Sequence, residues 1–312
     1  MSLISPNFPR AAAGLRRESV SVVSLQKQGR QFGLRRAATI ELPAGVLQPD
    51  FFEENIVVPN EVLSALQEAA QSAGLLGQKK WSISLPADAA QIAILTLETA
   101  PKTKAETVEV LNWKAERSFG AKPEEMRLAF QPLAPDANRR VRYFAVAVKL
   151  DVLAEYEDLF NTLGWQVGLV LPRQISESNW LKLPRSAKNK SDALMVSSQA
   201  DGFTAILLRQ SEPVIVRSVI CTEDEREDEF YRLLLFYRDR FNAENIGAEI
   251  NLKDILLVGD GFQPARVQEI AAETLGYNLQ ILGSNEVGLS LPAEIRFEDI
   301  AAPAGLASLA WR

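Results

Sequence analysis

The feature that most limits the fold of this chain is one pattern of elements that occurs in both of its halves. In the first half, alternating apolar residues predict strands over 19–25 and 31–42, followed by a helix over 61–74. The second half repeats this order, with three strands and a helix predicted over 192–198, 203–209, 213–220 and 225–242. Two such halves predict a duplicated α/β protein, with two sheets and a cleft between them.

The domain boundaries follow from composition. The polar, basic segment 182–191 is predicted to be a linker between a first domain over 13–181 and a second domain over 192–312. Residues 1–12 have no strand or helix pattern and are predicted to be a flexible arm. The apolar tail 301–312 is expected to pack on the second domain.

Several classes of function are excluded by composition. The 312 residues contain no histidine and a single cysteine, Cys221, which excludes catalytic triads with a histidine base, histidine-ligated zinc and an internal disulfide. A net charge of −6 argues against nucleic-acid binding. No apolar run reaches the length of a membrane span, so the chain is predicted not to cross a membrane.

Two further features have open interpretations. The acidic run 223–229 is interpreted as a solvated cap at a helix N-terminus, with weak binding of a cation or a basic partner as the alternative. Aromatic and aliphatic residues at helical spacing follow over 230–241 and predict core packing; any exposed remainder would mark a partner or dimer surface. Trp113, Trp165 and Trp180 are interpreted as core or boundary residues.

An ordered series of segments resembles the PilM family of type IV pilus assembly proteins. The resemblance covers almost the whole chain and is carried by 19–47, Trp81–Pro86, Tyr143–Val148, Leu163–Trp165, Glu212–Arg217, Ile255–Gly261 and Gly305–Ala307. That family belongs to the actin-like ATPase superfamily, with FtsA and the cytoplasmic part of GspL. The resemblance implies two ribonuclease-H-like domains and a small α+β subdomain inserted in the first, at about 86–165. The chain departs from the family in length: only 221–229 separate the hairpin ending near Ile220 from the helix at Phe230, so the second domain is predicted to be shortened and to lack most of the subdomain covering the base.

The positions that would hold nucleotide depart from the family pattern. Alignment puts Gly14 where the first phosphate turn has its Asp, and Arg16, followed by Arg17, where it has its Gly. In the second phosphate turn, Ser197 stands for the Asp and Gln199 for the Gly. The carboxylates that would work through magnesium are therefore missing, and a long side chain stands where phosphate needs bare backbone.

The third nucleotide motif survives in part, as Gly259-Asp260-Gly261 after a predicted strand. A tight strand-to-helix turn is the preferred explanation of these residues, and an anion site held by the charges of Arg16 and Arg17 is kept as an alternative. We expect no cofactor, no metal and no catalytic residue, hence a pseudo-ATPase. ATP with magnesium, bound by an actin-like ATPase with atypical phosphate loops, is the alternative.

The resemblance implies a cytoplasmic scaffold at the inner face of the inner membrane. Its partner would be the cytoplasmic peptide of a PilN-like membrane protein, together with other components of a pilus or secretion platform; a homodimer is left open. Strand addition or a pocket between the inserted subdomain and the first domain would hold the peptide. The expected contacts are Ile92, Ile94, Leu97, Tyr143, Val146 and Phe236.

Overall fold

The structure, a computed structural model, describes residues 8–136, 138–182, 191–243 and 251–311, with the main chain alone over 240–243. The strands are β1 (Ala11–Arg16), β2 (Ser19–Gln28), β3 (Gln31–Glu41), β4 (Lys80–Leu85), β5 (Gln91–Leu97), β6 (Met126–Leu133), β7 (Val141–Lys149), β8 (Gln166–Pro172), β9 (Asp192–Gln199), β10 (Gly202–Arg209), β11 (Glu212–Ile220), β12 (Leu252–Val258), β13 (Gln280–Ile281) and β14 (Leu289–Ser290). The helices are α1 (Pro59–Ser72), α2 (Lys104–Phe119), α3 (Leu150–Thr162), α4 (Arg173–Ser178), α5 (Arg226–Ala243), α6 (Pro264–Leu275) and α7 (Phe297–Ala307). None of the helices within these ranges has both the length and the apolarity that a membrane crossing requires.

The first domain is built on a six-stranded sheet with the order β14-β3-β2-β1-β4-β8. Strands β2 and β3 form the predicted antiparallel pair, and β1, which the sequence pattern does not predict, pairs antiparallel with β2 to complete a meander; β4 and β8 extend the sheet in parallel. Strand β2 is buried on both faces: Val20 and Val22 pack in the core with α1, and Val23 and Leu25 pack on the opposite side. Pro59 begins α1 two residues before the predicted start, because its fixed φ suits the first helical turn.

The second domain repeats this meander. Its five-stranded sheet has the order β11-β10-β9-β12-β13, with β9 to β11 antiparallel and β12 parallel to β9. Helices α5 and α6 cover one face through Phe230, Leu234 and Val267, so the aromatic set of α5 is mainly core, as predicted. The two meanders confirm the prediction of a duplicated α/β architecture.

The C-terminal part of the chain returns to the first domain, so the prediction that 192–312 forms the second domain is wrong for its last part. Strand β14 pairs with β3, and α7 packs on β1, β2 and β4. The expected packing of the tail 301–312 on the second domain is corrected in the same way. The reason is that α7 is rich in small apolar residues and is buried on all sides, which suits a position between two sheets.

The inserted subdomain is smaller than predicted. It consists of the antiparallel sheet β5-β7-β6 covered by α2, whose Leu111, Ala115 and Phe119 form its core with Leu95 and Leu97. Helix α3 belongs instead to the first domain, because its apolar face packs with α1 and β8. The insertion therefore ends with β7 at Lys149 and not at 165.

Two predicted connections fall partly outside the described residues. Residues 1–7 of the predicted arm and 183–190 of the predicted linker are not described. The arm prediction is wrong for Ala11 and Ala12, which are buried in β1. Their small side chains let β1 pair with β2 and β4 in the middle of the sheet.

Candidate functional site

A cleft of about 390 Å³ lies between the two domains. The first domain contributes the β1–β2 turn and the segment after β4, and the second domain contributes the turns after β9 and β12. The charged lining residues are four arginines and four acids, namely Arg16, Arg17, Arg173, Arg226, Glu18, Asp88, Glu223 and Asp260. Charges of both signs therefore face this cleft.

Several of these charges are paired with each other or with neighbours. Arg17 reaches across the cleft to Asp201 at 3.1 Å. Arg16 pairs with Glu18 at 2.5 Å and with Asp299 at 3.5 Å. Because the Arg17 pair is exposed, it contributes little stability.

Arg226 occupies the space between the two turns of the second domain. It begins α5, is 5% exposed, and its guanidinium donates hydrogen bonds to Ser198 Oγ and to the Gln199 carbonyl, both at 2.9 Å. A third hydrogen bond, of 3.3 Å, reaches the Asp260 carbonyl. The guanidinium covers Gly261 so closely that a Cβ there would overlap it. Sequence reasoning missed this residue, whose only signal is a lone arginine inside the acidic run 223–229.

The positions aligned with the missing carboxylates do not fit a magnesium nucleotide. Gly14 lies within β1 and not in the turn, and a Cβ there would lie 2.8 Å from Pro303 Cδ of α7. An aspartate therefore has no room at this position while α7 is in place. Ser197 Oγ is buried with no hydrogen-bond partner among the described residues, and Ser198 lines the cleft in its stead.

Only some of the eight positions predicted to hold nucleotide line the cleft. Five line the cleft, namely Arg16, Arg17, Gln199, Asp260 and Gly261. Three do not line it, namely Gly14, Ser197 and Gly259. Gly259 and Gly261 both have positive φ, at 88° and 106°, so these two glycines are explained by the strand-to-helix turn itself.

Arg173 was not predicted and forms the floor of the cleft at the end of β8. It is 6% exposed, and its Nε donates to Glu177 Oε1 at 2.6 Å, one turn further along α4. Glu177 is fully buried. Both residues belong to α4, and removing one partner of such a buried pair would leave an uncompensated charge inside the protein.

Asp88 gives the cleft a testable pH dependence. Burial raises the pKa of this carboxyl, and nearby Arg17 and Arg173 only partly oppose the effect. Its ionised form therefore costs stability at neutral pH, and this cost disappears as the pH falls from the raised folded pKa to the unfolded value near 3.8. We expect Asp88→Asn to be more stable than the wild type at pH 7, with the difference vanishing near pH 4. Urea unfolding at both pH values checks this; an equal difference at both would contradict it.

Five of the six predicted peptide contacts lie on two opposite faces of the inserted sheet, and the sixth, Phe236, lies on α5. Ile92, Ile94 and Val146 face the second domain, because they occupy paired and alternate positions of β5 and β7. Ile94 and Phe236 line a groove of about 270 Å³ between β5 and β11. Leu97 is 1% exposed in the core under α2, and Tyr143 packs against the same core. Leu97 is therefore wrong as a contact residue, since strand alternation turns it inward.

An exposed aromatic patch lies where the inserted subdomain meets the first domain, and we define it as Phe52, Trp113, Arg117 and Gly120. Trp113 and Phe52 are 52% and 47% exposed. The Arg117 guanidinium lies 4.9 Å from the Trp113 ring centroid, and the Phe52 ring approaches Gly120. Of the two interpretations of Trp113, as a core or as a boundary residue, only the first is wrong, because half of the side chain is exposed. Its position opposite the Leu111–Ala115–Phe119 stripe of α2 is the signal that would have shown this.

The loop that carries Phe52 is held rigidly by both parts of the protein. Phe51 is buried in the core of the inserted subdomain and meets Phe52 edge-on at 5.0 Å. On the other side, Glu155 of α3 accepts hydrogen bonds from the backbone N–H groups of Asn55 and Ile56, both at 2.9 Å. The aromatic patch is therefore displayed on a fixed support, which suits binding without a large ordering cost.

Neither a protein-family model nor a curated protein matches the sequence. Among solved structures, the chain is similar to a "PilM-PilN type IV pilus biogenesis complex", with a TM-score of 0.74 and 17% identity over 98% of this chain and 99% of that one. A cytoplasmic domain of EpsL, an inner-membrane component of the type II secretion system of Vibrio cholerae, matches with a TM-score of 0.48 and 12% identity over 96% and 94%. A Bacteroides thetaiotaomicron protein with an actin-like ATPase fold and unknown function matches with a TM-score of 0.45 and 12% identity over 94% and 95%. The first likeness confirms the predicted PilM-like, actin-like ATPase fold.

Proposed function

We propose that this chain, with its PilM-like fold, is a scaffold protein of a type IV pilus or related secretion-type assembly complex. It acts in the cytoplasm at the inner face of the inner membrane and binds the cytoplasmic peptide of a PilN-like membrane protein. The observation that carries the proposal is the match to the PilM-PilN complex, which extends over 98% of the chain and so includes the inserted subdomain. Because a fold alone does not determine function, the proposal also depends on the chemistry of the surfaces.

The first of these surfaces is the cleft, where we infer that nucleotide binding has been lost. A triphosphate with its metal needs bare backbone and carboxylates in the phosphate turns. Here the Arg226 guanidinium covers Gly261, and Pro303 of α7 leaves no room for a side chain at Gly14. The chain would then be a pseudo-ATPase whose domains are joined by protein contacts and not by a bound nucleotide.

The second surface is the aromatic patch, which we propose as the peptide site. Tryptophan and arginine are the residues that most often dominate binding energy at interfaces. A hollow of about 590 Å³ lies beside Trp113, Arg117 and Gly120. An apolar side chain of a short peptide would pack on the two rings, and Arg117 would face an acidic group of the peptide. The proposed site lies, as expected from the sequence, between the inserted subdomain and the first domain, but it consists of residues other than those predicted.

Nucleotide binding is tested by calorimetric titration with Mg-ATP. We expect no saturable binding tighter than about the millimolar range, which corresponds to roughly 4 kcal/mol. The variant Arg226→Ala, which uncovers Gly261, is expected to remain without binding, because the carboxylates are still absent. Saturable micromolar binding by the wild type would contradict the inferred loss and restore the ATPase alternative.

Partner binding is tested by capture on immobilised peptides. The probes are the N-terminal cytoplasmic segments of the inner-membrane pilus and secretion proteins encoded with this chain, each paired with a scrambled version of itself. We expect one native peptide to retain the purified chain and its scrambled version to release it. If every peptide fails in the same way as its scrambled control, the proposed partner class is wrong.

A further inference from the structure

A second hollow lies on the first domain at the end of the sheet away from the cleft, and we call it the basic hollow. It has a volume of about 550 Å³ and is lined by Arg10, Ser24, Leu25, Gln26, Arg35, Arg36, Gly74, Leu75, Gly77, Gln78 and Trp311. No acidic residue is among these lining residues. All three arginines are exposed, in a protein whose net charge is −6. The cleft between the domains differs, because acids there balance the arginines.

A β-bulge places two consecutive arginines on this one surface. Ser24 pairs with Arg36 and Leu25 pairs with Leu34, so Arg35 is the extra residue of β3. In a regular strand, neighbours point to opposite faces, whereas a bulge redirects a side chain. Arg35 and Arg36 therefore both line the hollow.

Neutral groups hold the side chains of Arg36, Arg10 and Lys27 in place. Arg36 Nη1 donates to the carbonyls of Ala73 and Gly74 beyond the end of α1. The Arg10 guanidinium lies 4.5 Å from the Trp311 ring centroid, and Lys27 Nζ donates to the Trp311 carbonyl at 3.1 Å. None of these contacts neutralises a positive charge.

The basic character extends beyond the hollow over this end of the domain. Residues 19–40 contain Lys27 and Arg30 besides the two arginines of the bulge, and no acid. Residues 69–85 contain Lys79 and Lys80, again without an acid. All four of these side chains are exposed. The strand directions bring them together, because β2 ends and β4 begins at the end of the sheet opposite the cleft.

We propose that this basic face docks on the anionic phospholipid surface of a membrane. Open, solvated cations spread over a face match a layer of phosphate headgroups, and each basic residue near such a surface strengthens binding about five-fold. A small phosphate site would instead bury its arginines, and these are exposed. A peptide site would need exposed apolar anchors, and the apolar lining residues Leu25 and Leu75 are buried or half-buried. The inference goes beyond the proposed function and requires no peptide partner.

Vesicle flotation tests this proposal with the full-length chain. The probes are vesicles of phosphatidylcholine alone and vesicles that also contain phosphatidylglycerol, at low and at high salt. We expect binding to the phosphatidylglycerol vesicles only, and weaker binding at high salt because salt screens the charges. Arg35→Gln is expected to bind about five-fold more weakly, and Arg10→Gln with Arg35→Gln about 25-fold more weakly. Arg36 is left unchanged, because it also bonds to Gly74.

The matched control is Arg127→Gln, an exposed arginine of β6 in the inserted subdomain. It changes the net charge by the same amount and is expected to leave vesicle binding unchanged. An equal loss in Arg35→Gln and Arg127→Gln would overturn the proposal, since net charge would then be the cause. Equal binding to vesicles with and without phosphatidylglycerol would also overturn the proposal. So would loss of vesicle binding in the presence of millimolar inorganic phosphate or of an acidic peptide. Arg35→Gln is expected to bind the captured peptide as the wild type does. Membrane docking and peptide binding can therefore fail independently in these experiments.

Discussion

Replacing Trp180 by alanine is expected to lower the free energy of unfolding by about 3–5 kcal/mol. The side chain is fully buried and meets Phe32 of β3 and Phe297 of α7 edge-on, at 6.2 Å and 6.3 Å. Its Nε1 donates a hydrogen bond of 2.8 Å to the Ala301 carbonyl of α7. Alanine would leave a cavity at the place where the returning C-terminal helix meets the first domain, and would remove the hydrogen bond that joins Trp180 to α7.

The measurement is urea unfolding followed by circular dichroism. Trp180→Phe separates the two causes, because it keeps most of the volume and loses the hydrogen bond, whose net contribution is about 0.5–1.5 kcal/mol. Trp113→Ala is the matched control, since half of that side chain is exposed, and we expect a change of about 0.5 kcal/mol or less. If Trp180→Ala unfolds at the same urea concentration as the control, α7 does not pack on the first domain as described.

Truncating the aromatic patch is expected to have the largest effect on peptide binding. Trp113→Ala should weaken the affinity about 30-fold, or about 2 kcal/mol, because an exposed tryptophan on a rigid support is the usual anchor of an interface. Phe52→Ala should act similarly, and the double variant should lose more than either single variant. The measurement is fluorescence anisotropy with the labelled peptide that the capture experiment identifies.

Two controls make this result specific to the aromatic patch. Leu76→Ala removes an equally exposed apolar side chain, just beyond the end of α1, and is expected to leave peptide affinity unchanged. Phe236→Ala tests the groove between β5 and β11, where the sequence places a contact. If Phe236→Ala loses peptide affinity and Trp113→Ala does not, the peptide binds in that groove and not on the aromatic patch.

The parts of the fold that sequence could predict are those fixed by local pattern. Strand alternation and the turn at Gly29 predict β2 and β3, although not β1, and strand alternation predicts the three strands of the second meander. The inserted sheet follows from the dense apolar run of β7. These are short-range signals, because each depends on neighbouring residues and on one buried face.

The parts that were predicted wrongly depend on contacts between distant segments. Nothing local in α3 tells whether its apolar face will cover the inserted sheet or the first domain. The short pairing of β14 with β3 and the packing of α7 likewise join residues far apart in the chain. The same limit applies to the cleft. Arg226 is the first residue of an ordinary helix, and only the fold brings it against the turn after β9.

The most direct test is a calorimetric titration of the purified chain with a PilN-like cytoplasmic peptide, with and without Mg-ATP. The account predicts one-to-one binding with an affinity near the micromolar range, about 8 kcal/mol, and the same affinity when Mg-ATP is present. The contrary result is a chain that gives no heat with any such peptide and instead binds Mg-ATP and releases phosphate.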